Sequence, residues 1–198
     1  MNKYTKDTLD YDSCLAEAKE FHGEVCGGII MGTRMAISGM RAIGIHDPKG
    51  EDRKNIMVFV EIDRCPTDAI IAVTGCHPGK RTLKVLDHGK MAATFINLGT
   101  GKAVRVSSKN RQGDVIKDRA MIEGEPMKDD FTTMADEELF TLTEVKVSLD
   151  PADMPGRPVR SAPCASCGER VLDMRDIEVD GKFYCRPCAE KKNYYTKL

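Results

Sequence analysis

Three things are missing from this sequence: a charge imbalance, an apolar leader, and a long apolar run free of charged residues. Lys and Arg number 30 against 31 Asp and Glu, so a net charge of -1 gives no overall reason to expect nucleic acid or a membrane surface as partner. Residues 1–11 are polar and lack the apolar core of a secretory signal, from which a cytoplasmic location is expected. The most apolar stretch, 26–45, contains Arg34 and Arg41 and several glycines, and reads as a buried helix rather than a membrane span. Without an export signal, the eight cysteines point to metal or redox chemistry and away from a disulfide framework.

What is present is globular: 198 residues, 41% hydrophobic and 31% charged, enough to bury a sizeable core. Charge sign is unevenly placed, with ten Lys/Arg against three Asp over 80–119 and ten Asp/Glu against two Lys over 123–153. A basic stretch of this kind suits either a small anionic ligand or the facing acidic stretch.

The strongest pattern lies at the C-terminus. Cys164 and Cys167 form one C-x-x-C pair, Cys185 and Cys188 a second, and seventeen residues separate them. That spacing fits a structural zinc site of four thiolates, in preference to a redox dithiol or an iron–sulfur centre. Asp180-Gly181 between the pairs is a hairpin signal that would return the second pair to the first. So small a module has little core, and metal binding supplies much of its folding free energy. A helix is expected from Arg186 to the end, with Lys191, Lys192, Tyr194 and Tyr195 exposed. Four prolines at 151, 155, 158 and 163 mark a linker. The expected domains are therefore 1–149, a linker at 150–163, and a zinc-ribbon or treble-clef-like domain at 164–198.

In the first domain, 8–21 has the pattern of an amphipathic helix and 26–45 that of a central helix covered on several sides. Gly28, Gly32 and Gly39 weaken an isolated helix but allow neighbours to approach closely. Strands are expected at 55–62, 91–98, 102–107 and 141–149, a helix after Pro66, and a short helix at 134–140. The fold class is α+β, with helices on one face of a largely antiparallel sheet.

Candidate chemistry centres on 21–28. His22 and Cys26 are four apart, and on a helix they would share a face. Zinc takes three or four such donors, so others must come from elsewhere, Cys65 and Cys76 being the candidates. Gly75-Cys76-His77-Pro78-Gly79-Lys80 has the composition of a shaped binding loop.

Phe21-His22-Gly23-x-x-Cys26-x-Gly28, Cys65-x-x-Asp68-Ala69-Ile70, Gly75-Cys76-x-x-Gly79-Lys80, Asp87-x-Gly89-Lys90 and Ala103-Val104-Arg105 resemble, in the same order, the FmdE family of formylmethanofuran dehydrogenase components. The resemblance implies an α+β core whose His and Cys residues surround a metal at a candidate active site, with a C-terminal zinc finger. This chain has Glu24 and Gly27 where the family commonly carries a second histidine and a proline. The parent complex is a molybdenum or tungsten pterin enzyme of one-carbon metabolism, but nothing in this sequence resembles its pterin or iron–sulfur components.

Two functions follow as expectations. In one, His22, Cys65 and Cys76, with or without Cys26, hold a second zinc with an open position; Glu24, Asp68 or His77 moves a proton, Cys65 belongs to the catalytic set, and Lys80 or Lys90 holds an anionic substrate beside His77. In the other, the protein is a non-catalytic accessory subunit that docks a redox enzyme or carries metal or an anionic cofactor. A homodimer is expected in either case, from the charged stretches and an exposed hairpin edge.

Overall fold

The computed structural model describes residues 7–109, 131 and 133–196. The chain divides into two compact units, Met1–Val147 and Ser148–Leu198. Residues 110–119 of the basic stretch and 123–130 and 132 of the acidic one lie outside the described residues.

The first unit is α+β. Helix α1 (Tyr11–His22) starts where the Asp10 carboxylate accepts the Ser13 N–H, and ends at Gly23, whose φ of 101° is open to glycine. Helix α2 (Gly27–Ala42) follows after a short turn. Strand β1 (Ile56–Val60) leads into helix α3 (Cys65–Thr74), with Pro66 in the first turn, where a missing N–H costs nothing. Strands β2 (Leu83–Val85), β3 (Ala92–Asn97) and β4 (Ala103–Ser108), a single turn of helix α4 (Asp136–Leu139), and strand β5 (Phe140–Glu144) complete the unit.

The five strands form one sheet in the order β2-β1-β3-β4-β5. All neighbours are antiparallel except β1 and β2, which run parallel because α3 is a crossover between them. No sequence pattern announces strand β2: of its three residues only Leu83 is buried, too little for a period-two signal.

Helices α1, α2 and α3 pack on one another, and α2 lies against β3 and β4. The expected glycine contacts are present. A side chain at Gly32 would stand 2.6 Å from the Pro66 Cα of α3, and one at Gly39 would enter the fully buried ring of Phe95 on β3, 2.2 Å from its Cδ2. The bare face of α2 thus admits α3 on one side and the sheet on another. Asn97, at the end of β3, donates to the Ile43 carbonyl and accepts from the N–H groups of Gly99 and Thr100, which ties the β3–β4 hairpin to the end of α2.

The second unit holds two small ribbons. Strands β6 (Ser161–Pro163) and β7 (Arg170–Leu172) pair, as do β8 (Ile177–Val179) and β9 (Lys182–Tyr184). Asp180 and Gly181 both have positive φ, 49° and 73°, as a two-residue hairpin turn of this type demands. The proline-rich stretch carries short elements of its own. Pro151–Asp153 makes a 3-10 turn and β6 ends at Pro163, which a two-stranded ribbon tolerates because its outer edge needs no donor. Arg160 reaches the Asp176 carboxylate at 2.6 Å and stacks over Phe183, 4.6 Å from its centroid. The terminal helix is shorter than expected: α5 (Arg186–Glu190) stops at Lys191, which adopts a left-handed conformation. Lys191, Lys192, Tyr194 and Tyr195 are exposed. Among the described residues, no helix is long and apolar enough to cross a membrane.

Candidate metal centres

Two clusters of metal-ligating side chains stand out among the described residues: Cys164, Cys167, Cys185 and Cys188 in the second unit, and His22, Cys26 and Cys65 in the first. In each cluster one donor atom per residue lies within 4.8 Å of all the others.

The four-cysteine cluster is built by the hairpins. Cys164 follows β6, Cys185 follows β9 and caps α5, and Cys188 stands on α5. Gly168, with φ of 78°, turns the chain after the first pair so that its N–H reaches the Cys164 carbonyl at 2.9 Å. The Ala165 N–H binds the Phe183 carbonyl at 2.8 Å, fastening the first pair to β9. The Cys167 and Cys185 sulfurs are 3.9 Å apart, close to the roughly 3.8 Å between thiolates that share a tetrahedral zinc with Zn–S near 2.3 Å. Backbone N–H groups of Cys167 and Cys185 bring the Cys164 thiol down to about 6, whereas, against the Cys188 N–H, crowding by the neighbouring thiols pushes that of Cys185 up to about 12. This is a closed, structural zinc site.

The first-unit cluster forms where three helix ends meet. His22 is the last residue of α1, Cys26 is the N-cap of α2 and Cys65 opens α3. The expectation that His22 and Cys26 share one helix face is corrected here: Gly23 breaks the helix, and a turn brings the two donors together. Gly28 makes the third approach possible. A Cβ at that position would lie 2.9 Å from the Cys65 Cβ and 3.6 Å from the Cys26 sulfur, so only glycine lets α3 set Cys65 beside Cys26.

Two opposing influences act on the Cys65 thiol. Burial, together with the neighbouring Cys26 thiol, pushes the Cys65 thiol up. The backbone N–H of Cys65, at the positive end of α3, acts the other way on that thiol, and a cation would reinforce it. One histidine and two cysteines are a donor set that zinc accepts. Asp68, three residues beyond Cys65, places its carboxylate 2.8 Å from Nδ1 of His22 and leaves Nε2 as the free ring nitrogen. A metal-binding histidine held by a carboxylate in this way is fixed in tautomer and orientation. In the sequence Asp68 was marked by the Cys65-x-x-Asp68 motif and expected as a proton carrier, not as the partner of His22.

The remaining sequence candidates go elsewhere. Cys76 lies past the other end of α3, only 1% exposed, with its sulfur 3.9 Å from the Ile56 carbonyl and its thiol pushed up by burial. It does not join the cluster. Helix α3 has ten residues, roughly 15 Å at 1.5 Å per residue, and Cys65 and Cys76 flank it. His77, whose imidazole burial holds below its ordinary value, and Lys80 stay at that far end with Cys76. Lys90 is exposed beside a third region, a cleft lined with Arg105 and Ser107. Glu24 is exposed in the turn between His22 and Cys26.

Comparison with known proteins adds four findings. Residues 21–148 match the family model described as FmdE, molybdenum formylmethanofuran dehydrogenase operon, and residues 157–194 match the prokaryotic dksA/traR C4-type zinc finger. A probable S-adenosyl-L-methionine-binding protein of Archaeoglobus fulgidus is 27% identical over 196 residues, covering 86% of this chain and 53% of that protein. The chain therefore spans about half the length of the curated relative it matches. The crystal structure of a tungsten formylmethanofuran dehydrogenase FmdE-like protein from Syntrophus aciditrophicus shares the fold, with a TM-score of 0.60, 21% identity, and coverage of 98% of this chain and 100% of that one.

Proposed function

The chain belongs to the FmdE family, with a C-terminal four-cysteine zinc finger, and from that premise we propose that its core domain is a second metal site open to a small molecule. His22, Cys26 and Cys65 are its ligands. The observation that carries this reading is that three donors converge and the fourth candidate, Cys76, is held in the core beyond the other end of α3. Three protein ligands with a free position are the arrangement of catalytic zinc, whereas four thiolates close a site. A zinc ion bound there supplies Lewis acidity for polarising a carbonyl or acidifying water.

The side chains divide the remaining work. Asp68 holds the Nδ1–H of His22 and presents Nε2 as the ligand atom. Cys26 and Cys65 carry the negative charge that keeps the ion in place, aided by the two helix N-termini. Glu24, exposed between two of the ligands, is the carboxylate we assign to proton transfer with solvent.

A second reading, that the chain is an accessory component of an oxidoreductase, draws on the zinc finger. That domain exposes Leu172, Met174, Val179 and Tyr195 at 46–49% and Tyr194 at 97%, a surface suited to docking a protein partner.

Cobalt substitution of the full-length protein separates the readings. The open-site reading predicts a second cobalt spectrum, lost in Cys65→Ser, that shifts when imidazole is added. A second site whose spectrum ignores imidazole would mean a closed site and favour the accessory role.

A further inference from the structure

At the opposite end of α3 from the His/Cys cluster, a cavity of about 320 Å³ is lined by Lys49, Arg53, Lys54 and Lys80 together with Gly75 and Thr82. Its cations come from two separate segments. Lys49, Arg53 and Lys54 stand on the turn between α2 and β1, and Lys80 on the loop after α3. We propose that this cavity binds a compact polyanion carrying two or more oxyanion groups, of the diphosphate or polycarboxylate class.

No carboxylate is among the residues that line the cavity. Asp52 accepts the backbone N–H groups of His46 and Asp47 at 3.0 Å, and Asp47 accepts that of Glu51 at 3.3 Å, so both carboxylates are turned into the bend of the chain. Among the described residues, Glu17 pairs with Lys49, and no carboxylate pairs with Arg53, Lys54 or Lys80. The carbonyl end of α3 at Gly75 offsets about half a charge, and four cations line one hollow whose lining contains no carboxylate. Like charges gathered in a concavity repel one another and focus the field on an anion entering it.

Size and shape agree with this chemistry. The cavity is at the small end of ligand pockets, large enough for a diphosphate or tricarboxylate. Gly75 has φ of 68°, and a Cβ there would press on the Lys49 side chain at 3.2 Å, so the missing side chain leaves room for the lysine to lie along the wall. The site does not depend on the metal reading of the core cluster, since the two share no residue.

Isothermal titration of the full chain with pyrophosphate, citrate and orthophosphate tests it. Pyrophosphate or citrate is expected to bind at least tenfold more tightly than orthophosphate, and the stronger of the two identifies the class. Lys54→Ala and Lys80→Ala, both at exposed positions, should each weaken that ligand about tenfold, while Lys102→Ala on the β3–β4 turn should leave it unchanged. Affinity should also fall as salt rises. Failure of both polyanions to outbind orthophosphate, or equal binding by the Lys54 and Lys80 variants, would overturn the proposal. Zinc content measured on the same samples keeps this result distinct from the fate of the core metal site.

Discussion

The carboxylate of Asp68 lies 2.8 Å from Nδ1 of His22, across 46 residues of sequence. It links the first turn of α3 to the last residue of α1 beside Cys26 and Cys65. Asp68→Asn keeps the shape and loses the charge that holds the imidazole. It should lower metal affinity at the core site about 10–100-fold, read by competition with a chelator, and leave the four-cysteine site untouched. Unchanged affinity would reduce Asp68 to a helix-capping charge.

Gly28→Ala places a Cβ 2.9 Å from the Cys65 Cβ and 3.2 Å from Pro66 Cδ. Urea unfolding should show a loss of about 1–3 kcal/mol, with loss of the core metal. Gly32→Ala should cost more, since its Cβ meets the Pro66 backbone at 2.6–2.7 Å, which cannot swing aside.

Glu61 on the sheet side of the unit takes two hydrogen bonds from Arg105, at 2.6 and 2.8 Å, and the guanidinium holds its carboxyl below the usual value of 4.5. A depressed carboxyl stabilises the fold above its unfolded value and loses that contribution as pH falls through its folded one. Stability of the first unit should therefore decline on acidification below about pH 4.5, and Glu61→Gln should flatten that part of the profile. At neutral pH the same variant should cost about 2 kcal/mol, the worth of hydrogen bonds to a charged group.

Stripping zinc from the second unit should unfold it, because its ribbons are three-residue strands with little apolar burial. Amide spectra after chelation should lose the resonances of 161–190 and keep those of Phe95 and the α2 core.

How much of this was legible in the sequence depended on whether a local pattern carried the information. The four-cysteine site was readable because both pairs and the Asp180-Gly181 turn are local. The elements around the core were readable from apolar periodicity, and the glycines of α2 announced close packing. Strand β2 was not, since pairing with β1 is specified by the α3 crossover and not by its three residues. The core cluster was half legible. The sequence supplied the right donor types, but His22 and Cys26 meet across a turn, and nothing local says that α3 points Cys65 toward them and carries Cys76 away. The basic cavity was missed because three of its four cations sit in a turn whose charges read as ordinary solvated lysines and arginine.

The central claim is that the core holds its own metal through His22, Cys26 and Cys65. Zinc per chain, by elemental analysis of the full-length protein and two variants, tests it most directly. The account predicts two zinc ions in the native chain, one in Cys65→Ser and two in Cys76→Ala. One zinc in the native chain, or loss of an ion in Cys76→Ala with none lost in Cys65→Ser, would contradict it.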